Sequence, residues 1–222
     1  MTDIFISGVK IDRSKIQKGS YVSKIPSLKK VKELSFDTNI TFFVGENGSG
    51  KSTLLEAIAT EYGFNGEGGS LNYKFSTYDD ISPLNEAITL IKGVRRAKYG
   101  FFFRAETFFN VSTAAVNKYE SSENFHTLSH GEGIFSLFEN FGNNGLYIMD
   151  EPEAALSPSK QKEVKEIIEK LAENGSQFII ATHSPILTAC NNSTIYSFDG
   201  EKVGKCEYEE TGIYQVYKDY FI

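Results

Sequence analysis

Residues Ile40 to Val44 read ITFFV; they run directly into GENGSGKS (Gly45 to Ser52) and then into TLLEAIATEYG, where Leu54, Leu55 and Ile58 recur at helical spacing. A short run that is almost wholly apolar is a strand buried on both faces. The chain thus passes from a central strand through a glycine-rich turn into a helix. That order is the building unit of a parallel sheet with helices on its faces. No other feature restricts the fold as much.

The unit recurs. Leu146 to Met149 (LYIM) reads as a second buried strand. Ser157 and Pro158 then supply an N-cap and a proline at the first helical position, ahead of Val164, Ile167, Ile168 and Leu171 at i, i+3, i+4 and i+7. Asn174 and Gly175 end that helix as a left-handed C-cap does, and Gln177 to Thr182 (QFIIAT) is a third buried strand. Ile4 to Ile11 reads as an opening strand, and TIYSF and KCEYE finish the sheet. Between Phe64 and Phe125 the pattern is less regular: NGEGGS is a turn cluster, GFFFRAETFF is strand-like, and the pieces around them read as short helices. No repeat or linker divides the chain. One α/β domain is expected over residues 1–222, with the first strands and the glycine turn in 1–62, an insertion in 63–141 and the later strands in 142–222.

A chain of 222 residues buries roughly 70 to 75 % of its unfolded surface, so its core needs no disulfide. Cys190 and Cys206 have neither paired nor metal-ligand spacing, which fits a reducing compartment. No apolar run reaches the ~18 to 20 residues of a membrane span, and MTDIFISGVKIDRSK lacks the apolar centre of a signal peptide. A cytoplasmic chain is expected. The net charge of -6 excludes a global basic footprint for nucleic acid. Lys10, Arg13, Lys15, Lys18, Lys24, Lys29, Lys30 and Lys32 nevertheless face only Asp3 and Asp12 in the opening segment. They read as a solvated surface, with an acidic partner as the alternative.

Gly45 to Ser52 matches the P-loop pattern in the strand-to-helix setting its mechanism needs. The glycines let backbone N–H groups point inward around a β-phosphate, and the helix start adds partial positive charge. Lys51 reaches the β and γ oxygens of ATP, and Ser52 offers its hydroxyl to Mg2+. Gly45, Glu46, Asn47, Gly48, Ser49, Gly50, Lys51, Ser52 and Thr53 are therefore the expected nucleotide-binding residues. Asp150 and Glu151 sit at the carboxyl end of LYIM, the edge of a parallel sheet where ligands bind. Asp150 is expected to hold the Mg2+ shell and Glu151 to orient or deprotonate the attacking water. FIIATHSP repeats the design and presents His183 to the same edge, beside Glu151. His126 and His130 lack such placement.

VGENGSGKSTLLEAIA, FRAETFFNVST, LSHGEG, LYIMDEPEAALSP and QFIIATHSPIL stand in the order of the ABC ATPase superfamily, which this chain resembles over most of its length. It looks most like a group of small stand-alone bacterial ATPases labelled AAA family; RecF and SMC heads share its DEPE and THSP elements. The resemblance implies a P-loop NTPase head with a parallel core sheet, an N-terminal antiparallel β subdomain and a small helical insertion. It also implies a homodimer in which each ATP lies between one copy's P-loop and the other's signature element. By position, Leu128-Ser129-His130-Gly131-Glu132 corresponds to that element, with Ser129 and the Gly131 backbone on the partner's γ-phosphate. The helix that follows shows Ile134, Leu137, Phe138 and Phe141 on one face.

Three departures accompany the resemblance. His130 and Glu132 replace a Gly and a Gln, AALS stands where transporters end a loop in Asp, and no Gln occurs between Lys51 and Gly131. Arg104-Ala105-Glu106 is the substitute for that missing Gln, with Glu106 either completing the Mg2+ and water shell or forming a structural salt bridge. Tyr21 is a candidate for stacking on adenine, or a core or surface residue.

The expected function is a Mg2+-dependent ATPase that dimerises on ATP and switches an unknown protein partner. The alternatives are a nucleotide-gated binding module with negligible hydrolysis and the nucleotide-binding subunit of a transporter. A DNA-processing head is a further alternative, for which only the N-terminal lysines speak.

Overall fold

The computed structural model describes residues 4–71, 82–107, 130–200 and 202–221. Two sheets form. The smaller is antiparallel, in the order β2-β1-β5, from β1 (Ile6–Ile11), β2 (Glu33–Ser35) and β5 (Ile88–Lys92). The larger has seven strands. Its inner strands are β3 (Ile40–Val44), β6 (Gly100–Arg104), β7 (Leu146–Asp150), β8 (Gln177–Ala181) and β9 (Ser193–Ser197), all parallel, in the order β9-β3-β8-β7-β6. Antiparallel β10 (Gly204–Cys206) and β4 (Gly69–Ser70) close its edges. The helices are α1 (Lys51–Tyr62), α2 (His130–Glu139), α3 (Pro158–Glu173), α4 (Pro185–Thr188) and α5 (Gly212–Phe221).

The period-two alternation of each strand divides the core. Phe43, Ile148 and Ile179 face α1 and the antiparallel sheet, packing with Leu54, Leu55, Ile58 and Val9. Their neighbours Phe42, Met149 and Ile180 face the other way, onto Ile134, Phe138, Val164, Ile168 and Leu187. A sheet covered on both sides in this manner needs strands that are apolar at every position, and β3, β7 and β8 are buried throughout. Helix α3 starts and stops where its sequence signals stand: the Ser157 side chain accepts from the Lys160 N–H, Pro158 is the first helical residue, and Gly175 has φ 84°.

One buried polar side chain joins the two sheets. Gln177, at the start of β8, accepts from the backbone N–H of Phe5 and of Ile6 at 2.9 Å each. Its amide donates to the Ile6 carbonyl at 2.7 Å. The edge of β1 would otherwise bury these groups unpaired.

The irregular span departs from expectation at one element. Ile88–Lys92, read as part of a helical piece, is a strand pairing antiparallel with β1, Val9 opposite Leu90. Buried Ile88 and Leu90 on either side of exposed Thr89 give a two-residue period over only three residues. That period is too short to stand out beside the 3-10 turn at Asn85–Ala87. The rest of the insertion, 72–81 and 108–129, lies outside the described residues.

Candidate functional site

The turn after β3 has Gly45 at φ 141° and Gly50 at φ 98°, a region that glycine enters at least cost. Space is short as well. A Cβ on Gly50 would lie 2.7 Å from Ile25 Cγ2, and one on Gly45 would lie 3.0 Å from Asp199 Oδ1. Asp199 was not legible as a site residue. It reaches the loop because β9 runs parallel beside β3, pairing Val44 with Ser197, so the turn after β9 meets the start of the glycine loop. There its Oδ1 accepts from the Glu46 N–H at 2.8 Å.

Lys51 and Ser52 open α1 beneath that loop. Lys51 is only 4 % exposed, and its ammonium donates to the carbonyls of Gly45 at 2.7 Å and Glu46 at 3.0 Å. Burial lowers its pKa, an effect opposed by the charges of Glu151 and Asp150. Ser52 Oγ donates to Asp150 Oδ1 at 2.9 Å. Burial pushes the Asp150 carboxyl up to about 6, restrained by the Ser52 hydrogen bond and by the charge of Arg104. A buried carboxylate in that condition is short of neighbouring positive charge. Among the described residues no group of three or more His, Cys, Asp or Glu could cage a metal by itself. One hydroxyl beside one carboxylate fits Mg2+, which uses one or two protein ligands and takes the rest from phosphate and water.

Glu151 follows at φ 51°, an uncommon setting for a side chain with a Cβ. Its N–H still donates to the Ala181 carbonyl at 2.9 Å, so the ladder between β7 and β8 continues one residue before the chain turns away. This turn leaves the carboxylate Oε1 3.8 Å from His183 Nε2. Strand order thus brings Glu151 and His183 together, at a spacing beyond a direct hydrogen bond. His183 Nε2 is buried with no hydrogen-bond partner. Burial first, and then the charge of Lys51, lower the imidazole pKa against the opposing pull of Glu151. The ring is neutral at pH 7.

The loop carrying His183 is pinned by Glu153, a second residue not singled out in the sequence. Glu153 Oε1 accepts from the His183 N–H at 2.6 Å. Gln161 on α3 adds a further tie, accepting from Ser184 Oγ at 2.6 Å while its amide donates to the Leu156 carbonyl at 2.9 Å.

Other candidates sit elsewhere. Arg104 Nη1 bonds Glu56 Oε2 at 2.9 Å and the Gly66 carbonyl at 3.0 Å, clasping β6 to α1. The Glu106 side chain is 85 % exposed, with Oε2 at 3.9 Å from Arg104 Nη2, and makes no hydrogen bond to Ser52 or Asp150. Tyr21 is half-exposed, its hydroxyl 3.1 Å from Ser82 Oγ. Ser129 lies outside the described residues, as does the His130 side chain. Gly131 is described, and a Cβ on it would come 2.5 Å from the Ala155 carbonyl oxygen. The first turn of α2 thus rests on the segment that follows Glu151, while Ile134 and Phe138 pack inward with Leu137 and Phe141 beside them.

Residues 40–128 and 113–189, together more than half of the chain, match the family described as "AAA domain, putative AbiEii toxin, Type IV TA system". The macrolide export ATP-binding/permease protein MacB of Neisseria meningitidis is 28 % identical over 213 residues, covering 82 % of this chain and 32 % of MacB. The energy-coupling factor transporter ATP-binding protein EcfA2 of Streptococcus sanguinis is 25 % identical over 190 residues, covering 74 % of this chain and 68 % of EcfA2. The chain thus spans about a third of the length of the MacB proteins it matches. Among solved structures, an SMC head bound to the C-winged helix domain of ScpA superposes with a TM-score of 0.51 at 15 % identity, covering 93 % of this chain and 99 % of that one. The chain belongs to this AAA-domain family; it is a P-loop ATPase with the fold of an SMC head.

Proposed function

We propose that the chain hydrolyses ATP to ADP and phosphate with Mg2+, and that two copies close around two nucleotides to switch a partner protein in the cytoplasm. Convergence carries this reading. Lys51, Ser52, Asp150, Glu151 and His183 come from three strand ends to one sheet edge, with Ser52 and Asp150 2.9 Å apart and Glu151 and His183 3.8 Å apart. The amides of residues 45–53 cradle the phosphates, and Lys51 exchanges the carbonyls of Gly45 and Glu46 for β and γ oxygens. Ser52 and Asp150 would hold the Mg2+, whose charge would offset that of the phosphates and of the buried carboxylate. Glu151 takes a proton from water as the water oxygen attacks the γ-phosphorus and the bond to the β-bridging oxygen breaks. The neutral His183 hydrogen-bonds the γ-phosphate or that water.

The signature element enters from the second copy, through Ser129 and the Gly131 backbone. Contact between Gly131 and Ala155 ties the first turn of α2 to the segment after Glu151. Engagement of one copy's signature is thereby felt at its own acidic pair. Multiple-turnover phosphate release tests the reading: Glu151→Gln lowers the rate at least ~100-fold, and equal rates for the two proteins would sink it. In light scattering with ATP, Glu151→Gln doubles in mass; a monomer there refutes the shared site.

The names of MacB and EcfA2 favour a second reading, the ATP-binding subunit of a transporter. Absence of any Gln between Lys51 and Gly131 weighs against it. Recovery of an integral membrane protein with Glu151→Gln plus ATP decides for the transporter; recovery of a non-membrane partner decides against it.

A further inference from the structure

Residues 12–32 leave β1 and return to β2, and the excursion is closed by pairing of Lys10 with Glu33 and by the Ile11 N–H on the Lys32 carbonyl at 2.9 Å. Residues 13–32 contain seven Lys or Arg and no Asp or Glu. With the whole chain at -6, everything outside that stretch carries -13. Val22, Leu28 and Val31 are buried and hold the loop down, Ile16 and Ile25 pack beside them, and the basic side chains point to solvent. Asp12, at the loop's start, is occupied by the N–H and hydroxyl of Ser14. Lys18, Lys24, Lys29 and Lys32 make no ion pair among the described residues.

The loop is also the outer wall of the glycine turn. Ser27 Oγ donates to the Ser49 carbonyl. Ile25 and Leu28 would lie 2.7 and 3.4 Å from a Cβ on Gly50. Any load on the loop therefore bears on the backbone that cradles phosphate.

We infer that residues 12–32 form a docking surface for the phosphodiester backbone of a single-stranded nucleic acid, and that Ser27 couples its occupancy to the P-loop. A compact island of positive charge on an otherwise acidic molecule attracts a polyanion and restricts where it lands. Tyr21, 52 % exposed between Lys18 and Lys24, gives a ring on which a base can stack. Val22, Leu28 and Val31 are turned inward, so the loop lacks the apolar wedge with which a membrane-surface element inserts.

The docking surface stands independently of the ATPase reading; the coupling rests on it. Anisotropy of a fluorescein-labelled single-stranded DNA 20-mer with the full chain, without nucleotide, tests docking alone. With about six phosphate contacts, log K falls against log salt with a slope near -4, a loss of roughly 250- to 350-fold between 50 and 200 mM. Replacing Lys24, Lys29 and Lys32 together by Glu abolishes the binding, and by Gln weakens it at least ~10-fold. Lys162→Glu with Lys170→Glu, on α3, leaves it unchanged. No binding at 50 mM salt, insensitivity to the loop substitutions, or equal affinity for poly-glutamate or for phosphatidylserine vesicles overturns the proposal. For the coupling, the 20-mer shifts the affinity for a fluorescent ATP analogue in the native protein. In Ser27→Ala the shift vanishes while DNA binding persists. A shift of unchanged size in Ser27→Ala refutes the route through Ser27.

Discussion

Glu153 offers the sharpest test of how the site is held. Its Oε1 is the acceptor for the His183 N–H at 2.6 Å. The same residue lies two positions after Glu151, whose φ of 51° turns the chain there. Glu153→Ala deletes that hydrogen bond and leaves a partly buried amide without an acceptor, worth about 1–3 kcal/mol. Much of that is recovered by letting the His183 loop relax. A shift of ~1 Å in a group that must meet the γ-phosphate costs about 100-fold in turnover. Steady-state phosphate release is therefore expected to show kcat down ~100-fold, with KM for ATP within about two-fold because Lys51 and the glycine turn are untouched. Glu153→Gln keeps an acceptor oxygen and should retain kcat within about three-fold, since a neutral acceptor supplies most of the hydrogen-bond energy. An Ala variant with native kcat removes Glu153 from the argument. A Gln variant as slow as Ala shows that charge, not the acceptor, is what His183 needs.

Three further outcomes follow from the same geometry. Asp150 has a folded pKa raised to about 6 from 3.8, so the fold binds more protons than the unfolded chain in that window and loses stability as pH rises through it. Without nucleotide or Mg2+, Asp150→Asn should accordingly be the more stable protein at pH 7.5, by about 1–3 kcal/mol in urea unfolding, and no more stable at pH 3.5. Asp199→Ala removes the acceptor of the Glu46 N–H; nucleotide-analogue titration should show about 3- to 10-fold weaker binding, by ~1 kcal/mol, with kcat preserved. Gln177→Leu strands the Phe5 and Ile6 amides and should lower stability by about 2–4 kcal/mol. Calorimetry should see that as a Tm fall of several degrees, while turnover at low temperature stays near native.

The core sheet and the Ser52 to Asp150 pair were legible because each is written within a few contiguous residues. ITFFV, LYIM and QFIIA cannot be half-exposed strands, and GENGSGKS can serve only a turn that glycine permits. His183 was legible through repetition, since its strand ends as the Asp150 strand does. Asp199 and Glu153 were not, because their roles depend on pairing. Asp199 matters only because β9 lies beside β3, and strand order is not a local property. Glu153 looks like one more acid in DEPE until β7 and β8 are set side by side and its carboxylate meets the His183 amide. Arg104 and Glu106 illustrate the reverse. Adjacency in sequence suggested an ion-paired cluster; Arg104 does lie 3.9 Å from Glu106, but its hydrogen bond goes to Glu56 on α1, and Glu106 stays at the surface.

Arrangement of the supports around the site explains why one element cannot move alone. The glycine turn is bounded by Asp199 on one side and by Ser27, Ile25 and Leu28 on another. The acidic strand end is bound to the histidine loop through Glu153 and to the start of α2 through the contact of Ala155 with Gly131. Asp199, Ser27 and Glu153 act through hydrogen bonds and Gly131 through a close backbone approach, which a shift of an ångström breaks, whereas the aliphatic contacts of Ile25 and Leu28 only deform under such a shift. A ligand that draws Lys51 off the carbonyls of Gly45 and Glu46 changes the load on the peptides that Asp199 and Ser27 hold. On the proposed function, the loop of residues 12–32 and the turn after β9, attached directly to the glycine turn, are the elements expected to respond to nucleotide. Lengthening the path from loop to P-loop, by Ser27→Ala, should therefore uncouple what binds at the surface from what binds in the cradle while leaving each binding event intact.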